Sequence, residues 1–232
     1  MSISVKNKGG IGDTIKRIIT ARHYFPDKKI YVSKSRKSRL SNSQKLINFF
    51  PNVYFESKSD AVGCDKPILI TKIKTIDKKY FPKYDINEKF IVCSLRCSTF
   101  GKNIDKGNFL EYRNFPIKTI FEMEDFLIKN CNVKVLLQHE TDISTNAWLA
   151  DNCEYSFHVD SGMPWFFHQF IKNGSCLVNW SRNLVKNNQL SKSYLDHQDQ
   201  LRQQGWDIID ESITSWKDEF VKILDSKKLL KK

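Results

Sequence analysis

The sequence predicts an α/β protein of two Rossmann-like lobes, each a parallel sheet flanked by helices, with the first lobe the smaller. Three observations predict it. Short apolar runs of strand type alternate with amphipathic stretches of helical period along most of the 232 residues, the pattern that parallel sheets with crossover helices require. Midway, the Lys-rich stretch KIKTIDKKYFPKYDINEK loses periodicity and carries a proline, which marks a boundary near residue 87. The length suits two small domains, each with a core of its own. The expected units are residues 1–87, residues 88–205, and a carboxy-terminal strand and helix over 206–232, for which packing back toward the first lobe is an open option.

Taken in order, SISVKNK alternates as a half-buried strand does, and DTIKRIITARHYF sets Ile15, Ile18 and Ile19 at helical spacing. KIYVSK predicts a second strand, NSQKLINFF a short helix behind a polar cap, and NVYFES and PILITKI two further strands. The second lobe opens with the strand KFIVCSLR, followed by a polar loop from Cys97 to Asn114 and the helix IKTIFEMEDFLIKN. Then come the strand VKVLLQ, a short helix in TDISTNAWLADN, the strand EYSFHVD, a helix in MPWFFHQFIKN with proline near its first turn, and the strand SCLVNW. Residues 181–204 are polar and fit loop or helix equally, before the strand WDIID and a last amphipathic helix, SITSWKDEFVKILDSKK.

No apolar run reaches the eighteen or so residues that span a bilayer, and MSISVKNKGG lacks the apolar core of a secretory signal. A cytoplasmic protein without a transmembrane segment is expected. The six cysteines are scattered, without zinc-knuckle spacing, and read as reduced thiols of the core. Lys and Arg outnumber Asp and Glu by 38 to 26, a formal charge of +12 that favours polyanionic partners. The cations concentrate: Lys28, Lys29, Lys34, Arg36, Lys37 and Arg39 fall in one stretch of twelve residues, and KKLLKK closes the chain.

Two strand-to-helix turns can hold a phosphate, because a helix N-terminus presents unpaired N–H groups and a positive dipole end. The first, GGIGD, comprises Gly9, Gly10, Gly12 and Asp13. It lacks the Gly-Lys-Ser/Thr ending of a Walker A loop and the third glycine of a dinucleotide fingerprint, and a tight turn with Asp13 capping the helix is the alternative. The second is Asp160, Ser161 and Gly162, where glycine lets a bulky anion approach and serine adds a hydroxyl; an ordinary helix cap is again the alternative.

Together these residues resemble the ADP-heptose:lipopolysaccharide heptosyltransferases and related two-lobed (GT-B) glycosyltransferases. GGIGDTIKRI is similar to that family's first turn, FPDKKIYVSKSR to its second strand, EYRNFP to its Lys-x-Trp-Pro loop, and DSGMPW to its Asp-(Ser/Thr)-Gly-x-x-His hallmark. The likeness runs from residue 1 to about 180. Trp165 stands where the hallmark has histidine, His168 follows one helical turn later, and Arg113 stands where the family has a phosphate-pairing lysine.

The resemblance implies an acceptor-side first lobe, a nucleotide-sugar-binding second lobe, and inverting transfer from a nucleoside-diphosphate sugar. Asp13 would be the general base, a role worth roughly 10²- to 10⁴-fold in rate. Arg113, Asp160, Ser161 and Gly162 would hold the donor diphosphate, helped by Lys102 or Lys106, and Glu140 would meet the ribose. No cluster with metal-ligand spacing is evident in the sequence, so metal-independent transfer without a cofactor is expected. The family points to a lipopolysaccharide core sugar as acceptor. Charge and small size instead favour DNA carrying hydroxymethylated bases, as phages have, held by Lys34, Arg36, Lys37 and Arg39. A non-enzymatic nucleic-acid-binding protein on a transferase scaffold is the reading from another class. His139 and His158 are expected to be structural or exposed. The run Trp165, Phe166, Phe167 reads as core, with a sugar or base platform as the alternative.

Overall fold

Alternation in the first strand decides which way the first sheet faces. In the computed structural model, which describes residues 2–6, 11–33, 49–56, 58–69, 71–72, 77–95, 115–138, 142–159, 163–170, 173–178, 192–210 and 215–232, Ile3 and Val5 are buried while Lys6 is exposed. Strands β1 (Ile3–Lys6), β2 (Ile30–Ser33), β3 (Val53–Tyr54) and β4 (Val62–Gly63) form a parallel sheet in the order β3-β2-β1-β4. The register pairs Ile3 with Ile30 and Ile30 with Val53, so these side chains share one face with Val5 and Val32. Helix α1 (Ile11–Tyr24) covers that face with Ile15, Ile18 and Ile19, each fully buried and each contributing about 1.5–3 kcal/mol. Arg22 closes the helix: its guanidinium donates to the carbonyls of Pro26, Lys28 and Pro51.

The second sheet is parallel as well, in the order β6-β5-β7-β8-β9. It comprises β5 (Phe90–Ser94), β6 (Lys134–Leu137), β7 (Tyr155–Val159), β8 (Ser175–Val178) and β9 (Asp207–Asp210). β5 and β7 are buried along their whole length, as central strands covered on both faces must be. Helices α2 (Ile117–Asn130) and α6 (Trp216–Ser226) pack over Ile91, Cys93 and Phe157. Helices α3 (Ile143–Asn152), α4 (Met163–Phe167) and α5 (Lys192–Gln203) lie on the core that contains Phe90 and Val92. That core is continuous with the face of the first sheet beneath α1.

Two expectations need correction. PILITKI is not a strand over its described residues; the fourth strand is Val62–Gly63. The backbone of this stretch is bonded by side chains instead of a ladder: the Leu69 N–H donates to the Thr20 hydroxyl at 3.0 Å, and the carbonyls of Ile68 and Thr71 accept from Gln200 and Gln169. The helix in MPWFFHQFIKN ends at Phe167 and tightens into turns through Phe170. At the carboxy-terminal end β9 pairs with β8, Phe220 of α6 packs against Phe157 at 4.7 Å, and Trp206 joins the core shared with the first sheet. The helix expected in NSQKLINFF lies outside the described residues except for Phe49 and Phe50, both buried. Of the ambiguous stretch, residues 192–203 are helical.

Five described cysteines are free, four of them buried. No helix among the described residues is long and apolar enough to cross a membrane.

Candidate functional site at the carboxyl edges of the two sheets

Open parallel sheets bind ligands where the chain reverses its direction of travel across the sheet, outside the carboxyl ends of the strands. Each sheet has one such point. β1 lies between β2 and β4, and β5 lies between β6 and β7. GGIGD follows β1 and enters α1; the sequence Asp160, Ser161, Gly162 follows β7 and precedes α4. Both turns singled out from the sequence therefore stand in the chain next to a reversal point.

The two helices that follow these turns touch. α1 packs against α4, and the Lys16 ammonium sits 4.8 Å above the centre of the Trp165 ring. Lys16 is the sixth residue of α1 and Trp165 the third of α4, so the contact lies near both helix entries. Asp13 is the third residue of α1, about 4.5 Å along the axis from Lys16. Gly12, in the same turn, is buried.

Polar groups line the carboxyl edge of the second sheet. Ser94 at the end of β5, Gln138 just after β6 and Asn146 in α3 are all buried. The Gln138 N–H donates to the Cys93 carbonyl at 2.8 Å and its side-chain amide to Asn146 Oδ1 at 3.2 Å, while Asn146 donates onward to the Asp142 carbonyl. Asp142 caps α3 by accepting from the backbone of Ser144 and Thr145 and from the Thr145 hydroxyl. This relay fixes Gln138 and Asp142, which stand in the sequence on either side of Glu140. Sequence reasoning passed over the relay; the available signal was the polar stretch QHETD directly after an apolar strand.

Trp165, Phe166 and Phe167 are core residues: all three are buried, and Phe166 stacks edge-on with Phe49 and Phe170. His168, one helical turn after Trp165, is buried as well. It is 1% exposed, Nε2 lies 2.8 Å from Gln204 Oε1, and burial pushes the imidazole down to about 4, with the Gln204 bond opposing and Lys72 adding to the shift. His158 is structural, fully buried against Phe167 at 4.4 Å, and burial takes it down to about 3.

Gly9, Gly10, Lys34, Arg36, Lys37, Arg39, Lys102, Lys106, Arg113, His139, Glu140, Asp160, Ser161 and Gly162 lie outside the described residues, as does the side chain of Asp13. Among the described residues, no group of three or more His, Cys, Asp or Glu side chains could hold a metal ion. A shallow concavity of about 400 Å³ lies at the opposite, amino edge of the second sheet, between Lys89, Glu154 and Lys227. Compared with known proteins, the chain matches no family model, no curated protein and no solved structure.

Proposed function

We propose that this chain is an inverting, metal-independent glycosyltransferase of the GT-B type. It moves a sugar from a nucleoside-diphosphate sugar to an acceptor hydroxyl, with a hydroxymethylated base of DNA, of the kind phages carry, as preferred acceptor in the host cytoplasm. The observation that carries the proposal is the packing of α1 against α4, which draws together the helices that follow the two phosphate-type turns. Two parallel sheets with reversal points at β1 and β5 agree with a donor and an acceptor held by different lobes.

In this mechanism the acceptor oxygen attacks the anomeric carbon while Asp13 takes its proton. The bond from that carbon to the diphosphate oxygen breaks, and the electron pair leaves with the nucleoside diphosphate. Direct displacement inverts the centre. Holding both substrates in one gap removes the entropy cost of their encounter. Arg113, Lys102, Lys106, Asp160, Ser161 and Gly162 serve the leaving group, where cationic side chains supply the charge stabilisation. Glu140 accepts from the ribose, and Lys34, Arg36, Lys37 and Arg39 neutralise acceptor phosphates.

One observation favours a second reading, a non-enzymatic nucleic-acid-binding protein. The family's hallmark histidine is Trp165 here, and the nearby His168 is engaged with Gln204. Incubating the protein with a panel of sugar nucleotides, against hydroxymethylcytosine DNA and against truncated lipopolysaccharide, separates these. Mass gain of the DNA by one sugar is expected. Gain on the saccharide alone reassigns the acceptor, and no gain on either with DNA still bound selects the second reading.

A further inference from the structure

The first sheet has a second face, and its residues differ in kind from those under α1. Ser4, Tyr31 and Tyr54 lie in one register row, joined at the β4 end by Gly63. Lys6 and Ser33 form the next row. Right-handed crossovers put the helix of β1-α1-β2 on one side and the link from β3 to β4 on the other. The short link after Phe55 carries Lys58, whose ammonium reaches over this second face.

Two aromatic rings and two ammonium groups make one cluster there. Tyr31 and Tyr54 stack at 5.3 Å with planes 24° apart. The Lys29 ammonium lies 5.8 Å from the Tyr54 ring centre and the Lys58 ammonium 5.2 Å from that of Tyr31. Tyr31 is buried at 6% exposure and backs the pair, while Tyr54, 36% exposed on β3, the edge strand among the described residues, is the ring that solvent reaches. Lys58 lies 3.6 Å from Asp60, and Glu56 is exposed nearby; Lys6 and Lys29 are exposed as well. The strand that carries Tyr31 is preceded in sequence by Lys28 and Lys29 and followed by Lys34, Arg36, Lys37 and Arg39, within a chain of net charge +12.

Aromatic faces interleaved with cations are what an unpaired nucleic-acid strand needs, because its bases stack while its phosphates release counterions on ammonium groups. We propose that the second face of the first sheet, at its β3 edge and centred on the exposed Tyr54 with Lys29 and Lys58, is a docking surface for nucleic acid with unpaired bases. This rests on the nucleic-acid partner of the function proposed above and narrows it: the acceptor strand is held beside the first lobe with its bases unstacked, the state in which a base can reach a distant carboxylate.

The test is fluorescence anisotropy of the full chain with a labelled oligothymidine, against a duplex of the same length. Tighter binding of the single strand is expected, weakened about tenfold by Tyr54→Ala and retained within about twofold by Tyr54→Phe. Replacing Lys29 and Lys58 together by Ala is expected to flatten the slope of log affinity against log salt by about 1.4, or about 0.7 per lysine. Single-strand binding that is insensitive to Tyr54→Ala and to the lysine pair overturns this surface and leaves the nucleic-acid partner standing. Failure to bind any oligonucleotide overturns both.

Discussion

His158 shows how a residue's chemistry is decided by its place in the sheet. It alternates with Phe157 and Val159 along β7, on the face toward α4, and neither ring nitrogen has a hydrogen-bond partner among the described residues. Ser156 Oγ and Trp206 Nε1, on the same face, are in the same condition. Neutral imidazole is the tolerable form in such surroundings. The folded state holds His158 down to about 3 and His168 down to about 4, while both protonate near 6.5 in the unfolded chain. Between those values the unfolded state binds more protons, so their contribution to stability is complete above about pH 6.5 and is lost as pH falls toward 3. Urea unfolding from pH 7 to pH 4 should show the difference between wild type and His158→Phe changing by about 1.4 kcal/mol per pH unit below 6.5; a pH-independent difference contradicts a buried neutral His158. The sequence allowed a structural His158 because imidazole in an apolar strand is common. It gave no sign of the relay from Gln138 to Asn146, since those partners are eight residues apart and meet only across a strand end and a helix.

Strands and helices with a clear period were legible as elements. β1, α1, β5, α2 and α6 each have an apolar pattern that one geometry satisfies. PILITKI misled because an apolar β-branched run fits a strand or any covered extended segment. Thr20, Gln169 and Gln200 bond its backbone from other elements, and local sequence cannot show that. The shortness of β4, two residues, hid it for the opposite reason. At α3 the start was fixed by Asp142, whose carboxylate satisfies two of the helix's first N–H groups. Asp142→Ala should lower stability by about 1 kcal/mol in chemical denaturation; an unchanged midpoint would show that the cap is replaced from elsewhere.

The molecule as a whole is organised by a core that does not stop at the lobe boundary. Residues from Ile3 to Phe55 on the first sheet and from Phe90 to Trp206 on the second belong to one buried cluster. The segment between the sheets adds to the joint: Lys78 pairs with Asp151 at 2.6 Å, and Tyr84 packs on Trp148 at 4.9 Å with its hydroxyl 3.1 Å from Thr145. A shared apolar core of this kind holds α1 and α4 in fixed relation. The two-sheet parallel design was readable because alternating βα patterns allow few topologies. Of the candidate site the sequence offers two expected turns, Gly9 to Asp13 and Asp160 to Gly162, most of whose residues lie outside the described ones. Glycine and a capping acid mark a turn within a few residues, whereas a partner such as Arg113 would have to be met through the tertiary fold.

Asp13 is where the whole account is most exposed. Sugar transfer from a nucleoside-diphosphate sugar to hydroxymethylcytosine DNA, followed by mass spectrometry for wild type and Asp13→Ala, with donor affinity measured in parallel by calorimetry, tests it. Loss of at least about 100-fold in rate with donor binding retained is predicted for removal of a general base. Transfer at the wild-type rate in Asp13→Ala would contradict the assignment of the first glycine turn to catalysis.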